Sequence, residues 1–206
     1  MEGYLYCGVP EAMAIGVAKR AKSARWWVRD AHPRIPRDSI RRSVADAMAM
    51  WARCGDVNAR EAESEQQADF VVQVTSIDGP QGVLADCMLP GPPVQICRMD
   101  KAEMLTIQLG PNVSQGLIDA DRMLRHEIGH FWGLGHHPRG TGGLMDPVYS
   151  LKIWDAQSAD IEAFRELYGE PVQIPTPPTA GQPGEPYYTV MFDRQGVEVA
   201  RFRRFE

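Results

Sequence analysis

No run in this 206-residue chain approaches the ~18–20 consecutive apolar residues that span a bilayer, so a transmembrane helix is not expected. The first residues, Met1-Glu2-Gly3-Tyr4-Leu5-Tyr6, lack the basic start and apolar core of a signal peptide. Either export does not use that route, or a native precursor begins elsewhere. Excess basic charge is missing too. The 22 Lys and Arg stand against 27 Asp and Glu, a net charge of −5 that argues against a general nucleic-acid binder. Cys7, Cys54, Cys87 and Cys97 do not decide a redox compartment; Cys87 and Cys97 are a candidate bridge that sequence alone does not establish. Histidine occurs only five times, with none between His32 and His126.

What is present is concentrated. Three of the five histidines fall in His126-Glu127-Ile128-Gly129-His130-Phe131-Trp132-Gly133-Leu134-Gly135-His136, an H-E-x-x-H-x-x-G-x-x-H pattern. Residues four apart share a helix face, so His126 and His130 can direct imidazole nitrogens at one ion. Two histidines do not complete a tetrahedral zinc site. Gly133 can take the left-handed conformation that ends a helix and turns the chain, which brings His136 in as third ligand and leaves a fourth position open. Zinc lowers the pKa of a bound water toward ~7, and Glu127 can take that proton as general base and hand it to a leaving amine. The expected reaction is peptide-bond hydrolysis without a covalent intermediate. His137 competes with His136, but the register from Gly133 favours His136, leaving His137 as a surface or ligand-supporting residue. His32, before a proline, reads as a loop histidine.

With 44% hydrophobic and 24% charged residues, the chain can bury one real core and carry a small appendage. Residues 1–24 form a leader, a candidate short pro-segment. A strand is expected at 25–29, and a helix capped by Asp38 or Ser39 runs to Arg53, with Ile40, Val44, Ala47, Met48 and Trp51 as its core face. A strand follows at 68–74, then a loop over 78–93 rich in Gly and Pro, short strands at 94–97 and 104–109, and a turn at 110–112. The metal helix is expected over 117–132 and a last helix over 158–168. Residues 171–186 read as a Pro-rich linker, and 187–206 as a β-hairpin appendage with strands at 187–192 and 197–202.

These motifs resemble the matrixin branch of the metzincin zinc metalloendopeptidases and are similar to the matrix metalloproteinase catalytic domain. Met145, nine residues past His136, sits where the family's Met-turn belongs. Pro147 and Tyr149 match the M-x-P-x-Y pattern that in matrixins lines the pocket for the substrate side chain after the scissile bond. Ser158–Gly169 looks like the closing helix, and Gly82-Val83-Leu84-Ala85 looks like the loop after the third strand. The resemblance covers roughly residues 25–170. It implies an α/β (α+β), zincin-like fold: a twisted mixed sheet of four to five strands, three helices, and a small C-terminal subdomain supplying His136 and Met145. It also implies one catalytic Zn2+, a protein or peptide substrate lying extended along an edge strand, and a secreted, extracellular setting.

The departures carry expectations of their own. Matrixins usually hold a second, structural zinc between strands with histidines. Asp86 stands where one of these would be, and the histidine gap argues against that site. Calcium at Asp78, Asp86, Asp100 or Glu103 stays open beside the reading of solvated surface acids. Cys7-Gly8-Val9-Pro10-Glu11 is similar to the cysteine switch whose thiolate takes the open zinc position in a zymogen, although Tyr6 replaces an arginine and Glu11 an aspartate. Rival readings are a catalytically restricted or non-proteolytic binding module on a metzincin fold, against which the intact Glu127 argues, and a terminal hairpin that serves as a docking device. Arg201, Arg203 and Arg204 read as a solvated face. Asn112-Val113-Ser114 is a glycosylation sequon only in a secreting host. Oligomeric state is not legible.

Overall fold

The computed structural model describes residues 6–8, 19–87, 93–107, 117–150, 152–172, 187–192 and 198–204. The turn at 110–112, the sequon at 112–114, Val9-Pro10-Glu11 and most of the linker, 173–186, lie outside them. The chain divides into two units, Met1–Pro171 and Val172–Glu206.

The first unit is built from β1 (Tyr6–Cys7), β2 (Ser23–Val28), α1 (Arg37–Cys54), β3 (Asn58–Glu61), β4 (Phe70–Thr75), β5 (Val83–Cys87), β6 (Gln95–Asp100), β7 (Leu105–Thr106), β8 (Ile118–Asp119), α2 (Ala120–Phe131) and α3 (Ser158–Tyr168). Its main sheet runs in the order β1-β5-β6-β4-β2-β3. The β2–β3, β2–β4 and β4–β6 pairs are parallel, whereas β5 runs antiparallel to β6. This is the mixed sheet of the expected α/β fold. Five strands belong to the body of the domain, and the leader adds β1 along the free side of β5.

Three local expectations are corrected, and one strand, β3, was not expected at all. The loop expected over 78–93 contains β5, because Val83 to Cys87 buries Leu84, Ala85 and Cys87 between two sets of Gly and Pro breakers. The sequence of β3, Asn-Ala-Arg-Glu, has little β propensity and is extended because it pairs residue for residue with Ser23–Trp26. Helix α1 starts at Arg37 because the Pro36 carbonyl accepts from the Ser39 and Ile40 amides, so Asp38 and Ser39 lie inside its first turn and do not cap it. The metal helix is shorter than expected. Residues 118–119 are held extended against β7, and the Asp119 carboxylate accepts the Asp121 amide at 2.9 Å as the cap.

Helix α2 is trapped between α1 and the sheet, which fixes where its histidines stand. Ile40, Val44, Ala47, Met48 and Trp51 of α1 are all buried. Trp51 stacks on Phe164 of α3 at 4.8 Å and donates its indole N–H to the Arg125 carbonyl at 2.9 Å. On the other side, Phe131 packs on Phe70 of β4 at 4.7 Å. Cys87 and Cys97 face each other in register across β5–β6, both buried and not joined by a disulfide. His32 sits in a turn paired with Ile35 but is buried, its Nδ1 accepting the Arg34 amide.

The second unit pairs β9 (Tyr187–Phe192) with β10 (Glu198–Arg204) as an antiparallel hairpin, with an irregularity between Glu198 and Ala200. Among the described residues no helix is long and apolar enough to cross a membrane.

Candidate active site and metal centre

His126 and His130 project from one face of α2. The helix stops at Gly133, whose φ of 102° is in the region that favours glycine; its amide donates to the His130 carbonyl and that of Leu134 to the Gly129 carbonyl. The reversal delivers His136 against the other two imidazoles. The three Nε2 atoms lie 3.1, 3.1 and 3.2 Å apart. Nitrogens bound tetrahedrally to zinc at ~2.0–2.1 Å are about 3.3 Å apart, so the triangle fits that ion.

The protonation pattern fits as well. His126 Nδ1 donates to the Leu144 carbonyl at 2.6 Å and His130 Nδ1 to the Leu134 carbonyl at 2.7 Å. Those bonds place the ring protons on the far nitrogens and leave the Nε2 lone pairs facing one another, an arrangement a cation relieves. Burial lowers the pKa of all three, reinforced at His130 and His136 by the neighbouring imidazoles; His136 is brought down to about 3. All are therefore neutral, as ligands must be.

Cys7 completes the cluster. Its Sγ is 3.4 Å from His130 Nε2, and the sulfur and three imidazole nitrogens all lie within 4.8 Å of one another. The leader is held on both sides: the Cys7 amide donates to the Pro147 carbonyl at 3.2 Å, and the Gly8 amide to the Ala85 carbonyl at 2.9 Å. A Cβ at position 8 would lie 2.9 Å from both Asp86 Cβ and Val83 Cγ1, so glycine is the residue that lets the leader approach β5 this closely.

Glu127 is buried beside this cluster. Burial pushes its carboxyl up to about 8, against the lowering effect of hydrogen bonds from the Cys7 thiol and the Cys87 amide. Its Oε2 has no protein partner among the described residues. A pocket opens next to His126 and Glu127, walled by Met123, Pro147, Tyr149 and Ile153 among others. Thus Pro147 and Tyr149 both line it, and the Tyr149 hydroxyl accepts the Asp119 amide at 2.9 Å.

Met145 lies beneath the histidines, fully buried against Gly129. A Cβ on Gly129 would collide with Met145 Sδ and lie 3.0 Å from Trp51 Cζ2. Gly129→Ala is therefore expected to cost about 1–3 kcal/mol by overpacking, read as a lowered urea midpoint.

Two contributors were not singled out from sequence. Asp160, fully buried at the start of α3, accepts from His137 Nε2 at 2.8 Å and from the amides of Leu144, Met145 and Gln157 at 2.7, 3.0 and 2.7 Å. This pins the Met-turn, and it makes His137 a buried supporting residue, not a surface one. Arg122 stands one helical turn before His126 and also lines the pocket; its i−4 spacing from a ligand was the available signal.

The calcium candidates accept hydrogen bonds from the chain. Asp100 Oδ2 accepts the amides of Ile77, Asp78 and Gly79, Glu103 accepts that of Gly82, Asp78 accepts that of Val83, and Asp86 pairs with Arg98 at 2.8 Å. Among the described residues, only Cys7, His126, His130 and His136 group as metal-binding side chains.

A helix-borne histidine pair, a third histidine after a glycine turn and a methionine turn beneath them define the metzincin class. Within it, this chain belongs to the matrixin family, since the family model described as Matrixin matches residues 18–169. It is similar to neutrophil collagenase of Homo sapiens (26% identity over 202 residues, 89% of this chain and 42% of the relative). It is also similar to stromelysin-1 of Mus musculus (28% over 192 residues, 82% and 38%) and to metalloendoproteinase 5-MMP of Arabidopsis thaliana (30% over 149 residues, 64% and 40%). The chain spans about two fifths of the length of these relatives.

Proposed function

We propose that the protein is a zinc-dependent endopeptidase in which His126, His130 and His136 hold the metal and Glu127 is the general base. The observation that carries this reading is the set of three Nε2 atoms within 3.2 Å of one another beside the buried Glu127 carboxyl. Zinc bound there supplies an acidified water and a polarised substrate carbonyl. Glu127 takes the proton of the attacking water and returns it to the amine that leaves. Its burial, which lifts its affinity for a proton, suits both halves of that transfer. The substrate lies extended along β5, the strand whose Ala85 carbonyl now accepts from the leader. The alternative of a non-proteolytic module leaves Glu127 without a role. The family's extracellular setting goes with the endopeptidase reading.

Cys7 is the latency ligand in this proposal. Its thiolate fills the fourth position and the leader covers the substrate strand, so neither water nor peptide can enter. The test is a peptide library incubated with the zinc-loaded Cys7→Ala protein, with and without a chelator. Chelator-sensitive internal cleavage is expected, and cleavage indifferent to metal refutes the assignment. Cys7→Ala should raise the initial rate on the order of tenfold or more, because the open position no longer has a resident sulfur. Equal rates for the two proteins would discard the latency role and leave the endopeptidase reading intact.

A further inference from the structure

Ala85 and Cys87 turn their backbone groups away from β6. The Ala85 carbonyl accepts the Gly8 amide at 2.9 Å, and the Cys87 amide donates to Glu127. In an antiparallel ladder, residues whose amides and carbonyls point outward oppose their partners without hydrogen bonds between them. Their Cα atoms are then about 4.5 Å apart and their side chains at their closest. Cys87 and Cys97 form such a pair. The register is fixed one step away, where Asp86 and Arg98 oppose each other and join at 2.8 Å. A Cα spacing of that size lies within the range of about 4.4–6.8 Å over which two cysteines can be bridged.

The surroundings hold the two sulfurs toward each other. Both residues are fully buried, and their thiols share a hydrogen bond. Gln95 Nε2 donates to Cys87 Sγ at 3.1 Å, while Gln95 Oε1 accepts from Arg20 Nη2. The Arg20 guanidinium in turn lies over the Phe131 ring at 4.4 Å. Burial raises the Cys87 thiol above its ordinary pKa, and the bond from Cys87 together with burial raises that of Cys97. The thiolate is the form that attacks a disulfide, so both are inert once β5 and β6 have closed. Bridging therefore belongs to folding, while the two strands are still open to solvent.

We propose that Cys87 and Cys97 are a disulfide-forming site, oxidised during folding by an organic disulfide and thereafter locking β5 to β6. The thiolate of one cysteine attacks the oxidant's disulfide and releases one thiol. The thiolate of the other then displaces the second half of the oxidant from the mixed disulfide. Two S–H bonds of the protein and the oxidant's S–S bond are lost; one S–S bond in the protein and two S–H bonds on the oxidant are gained. Inside the domain body β5 has β6 on one side only, since its other side is taken by the leader. The bridge gives that strand a covalent anchor directly behind Glu127. It stands independently of the endopeptidase reading, because neither a thiol count nor a thermal midpoint involves cleavage of a substrate.

The test unfolds and reduces the full chain, then refolds one portion in mixed oxidised and reduced glutathione and another in reduced glutathione alone. Both are alkylated and digested with trypsin. Trypsin leaves Cys87 and Cys97 in one peptide, residues 61–98, with Cys7 and Cys54 outside it. After oxidative refolding this peptide should carry no alkyl group and weigh two hydrogens less than its reduced form. The thermal midpoint should rise by roughly 5–10 °C, the shift that closing so short a loop gives a domain of this size. Cys97→Ala should show no midpoint difference between the two preparations. The same glutathione mixture added to the folded, reduced protein should leave both thiols intact. Two alkylated cysteines in the peptide after oxidative refolding overturn the proposal, as does a bridge from it to Cys7 or Cys54. An internal bridge without a midpoint rise removes the locking role, and rapid bridging of the folded protein removes the restriction to folding. Should Cys97→Ala not fold, the two redox forms of the parent decide.

Discussion

Glu127→Gln is expected to lower kcat/KM for peptide hydrolysis by about 10²–10⁴-fold, the range associated with loss of a positioned general base, while the protein keeps one zinc per chain. The amide is isosteric with the carboxyl and can still accept from the Cys87 amide, so the fold has little reason to change. What it cannot do is take a proton from water. Metal retention should be unaffected because the proposed ligands are the three imidazoles, and the Nδ1 anchors of His126 and His130 at Leu144 and Leu134 do not involve Glu127. Elemental analysis beside steady-state kinetics separates the two outcomes. Activity within a few-fold of the parent would remove Glu127 from its role, and loss of zinc would move it into the ligand set.

Asp160→Ala should be the most destabilising substitution near the site, by roughly 3–5 kcal/mol, as expected when a buried, fully bonded charge is deleted and its donors are stranded. It strands His137 Nε2 and the amides of Leu144, Met145 and Gln157 together. The damage should reach the metal. Leu144 anchors His126 through its carbonyl, and the His137 amide donates to the Met145 carbonyl at 3.0 Å, so zinc affinity should fall as well. The pH dependence has a definite sign. Burial works to raise the Asp160 carboxyl, but the bonds from His137 and the three amides outweigh it and hold its pKa below 3.8. A depressed carboxyl contributes stability that is present above its unfolded value and lost as pH falls through the folded one. The parent should therefore lose this contribution below about pH 3.8, and Asp160→Asn should lack that acid-limb component. Urea unfolding at neutral and acid pH measures both. A cost under about 1 kcal/mol at neutral pH would show that the Met-turn is held by packing alone.

The metal triangle was legible because everything it needs lies within eleven residues. Helical periodicity puts His126 and His130 on one face, and a glycine turn is the shortest way to bring His136 back to them. The motif also placed Met145, Pro147 and Tyr149 around the site. The terminal helix and its buried Phe164 and Tyr168 follow equally from local periodicity. Where the reading from sequence missed, long-range pairing had decided the outcome. Residues 58–61 become a strand only because β2 is there to pair with them, and Val83–Cys87 overrides its Gly- and Pro-rich flanks only because β6 returns beside it.

By itself, then, the sequence determined which histidines come together, their order and the chemistry they can support, since helix geometry is a local property of the backbone. Only the tertiary structure decided what surrounds them. Cys7 reaches His130 across 123 positions, as a strand laid on β5 and tied to the Pro147 carbonyl. Asp160 reaches the Met-turn from another helix, and Arg122 faces a pocket whose far wall is a loop some 25 residues on. Contacts of that span are set by how the sheet and helices pack, because burial and hydrogen-bond satisfaction are properties of the whole domain and leave no fixed spacing along the chain.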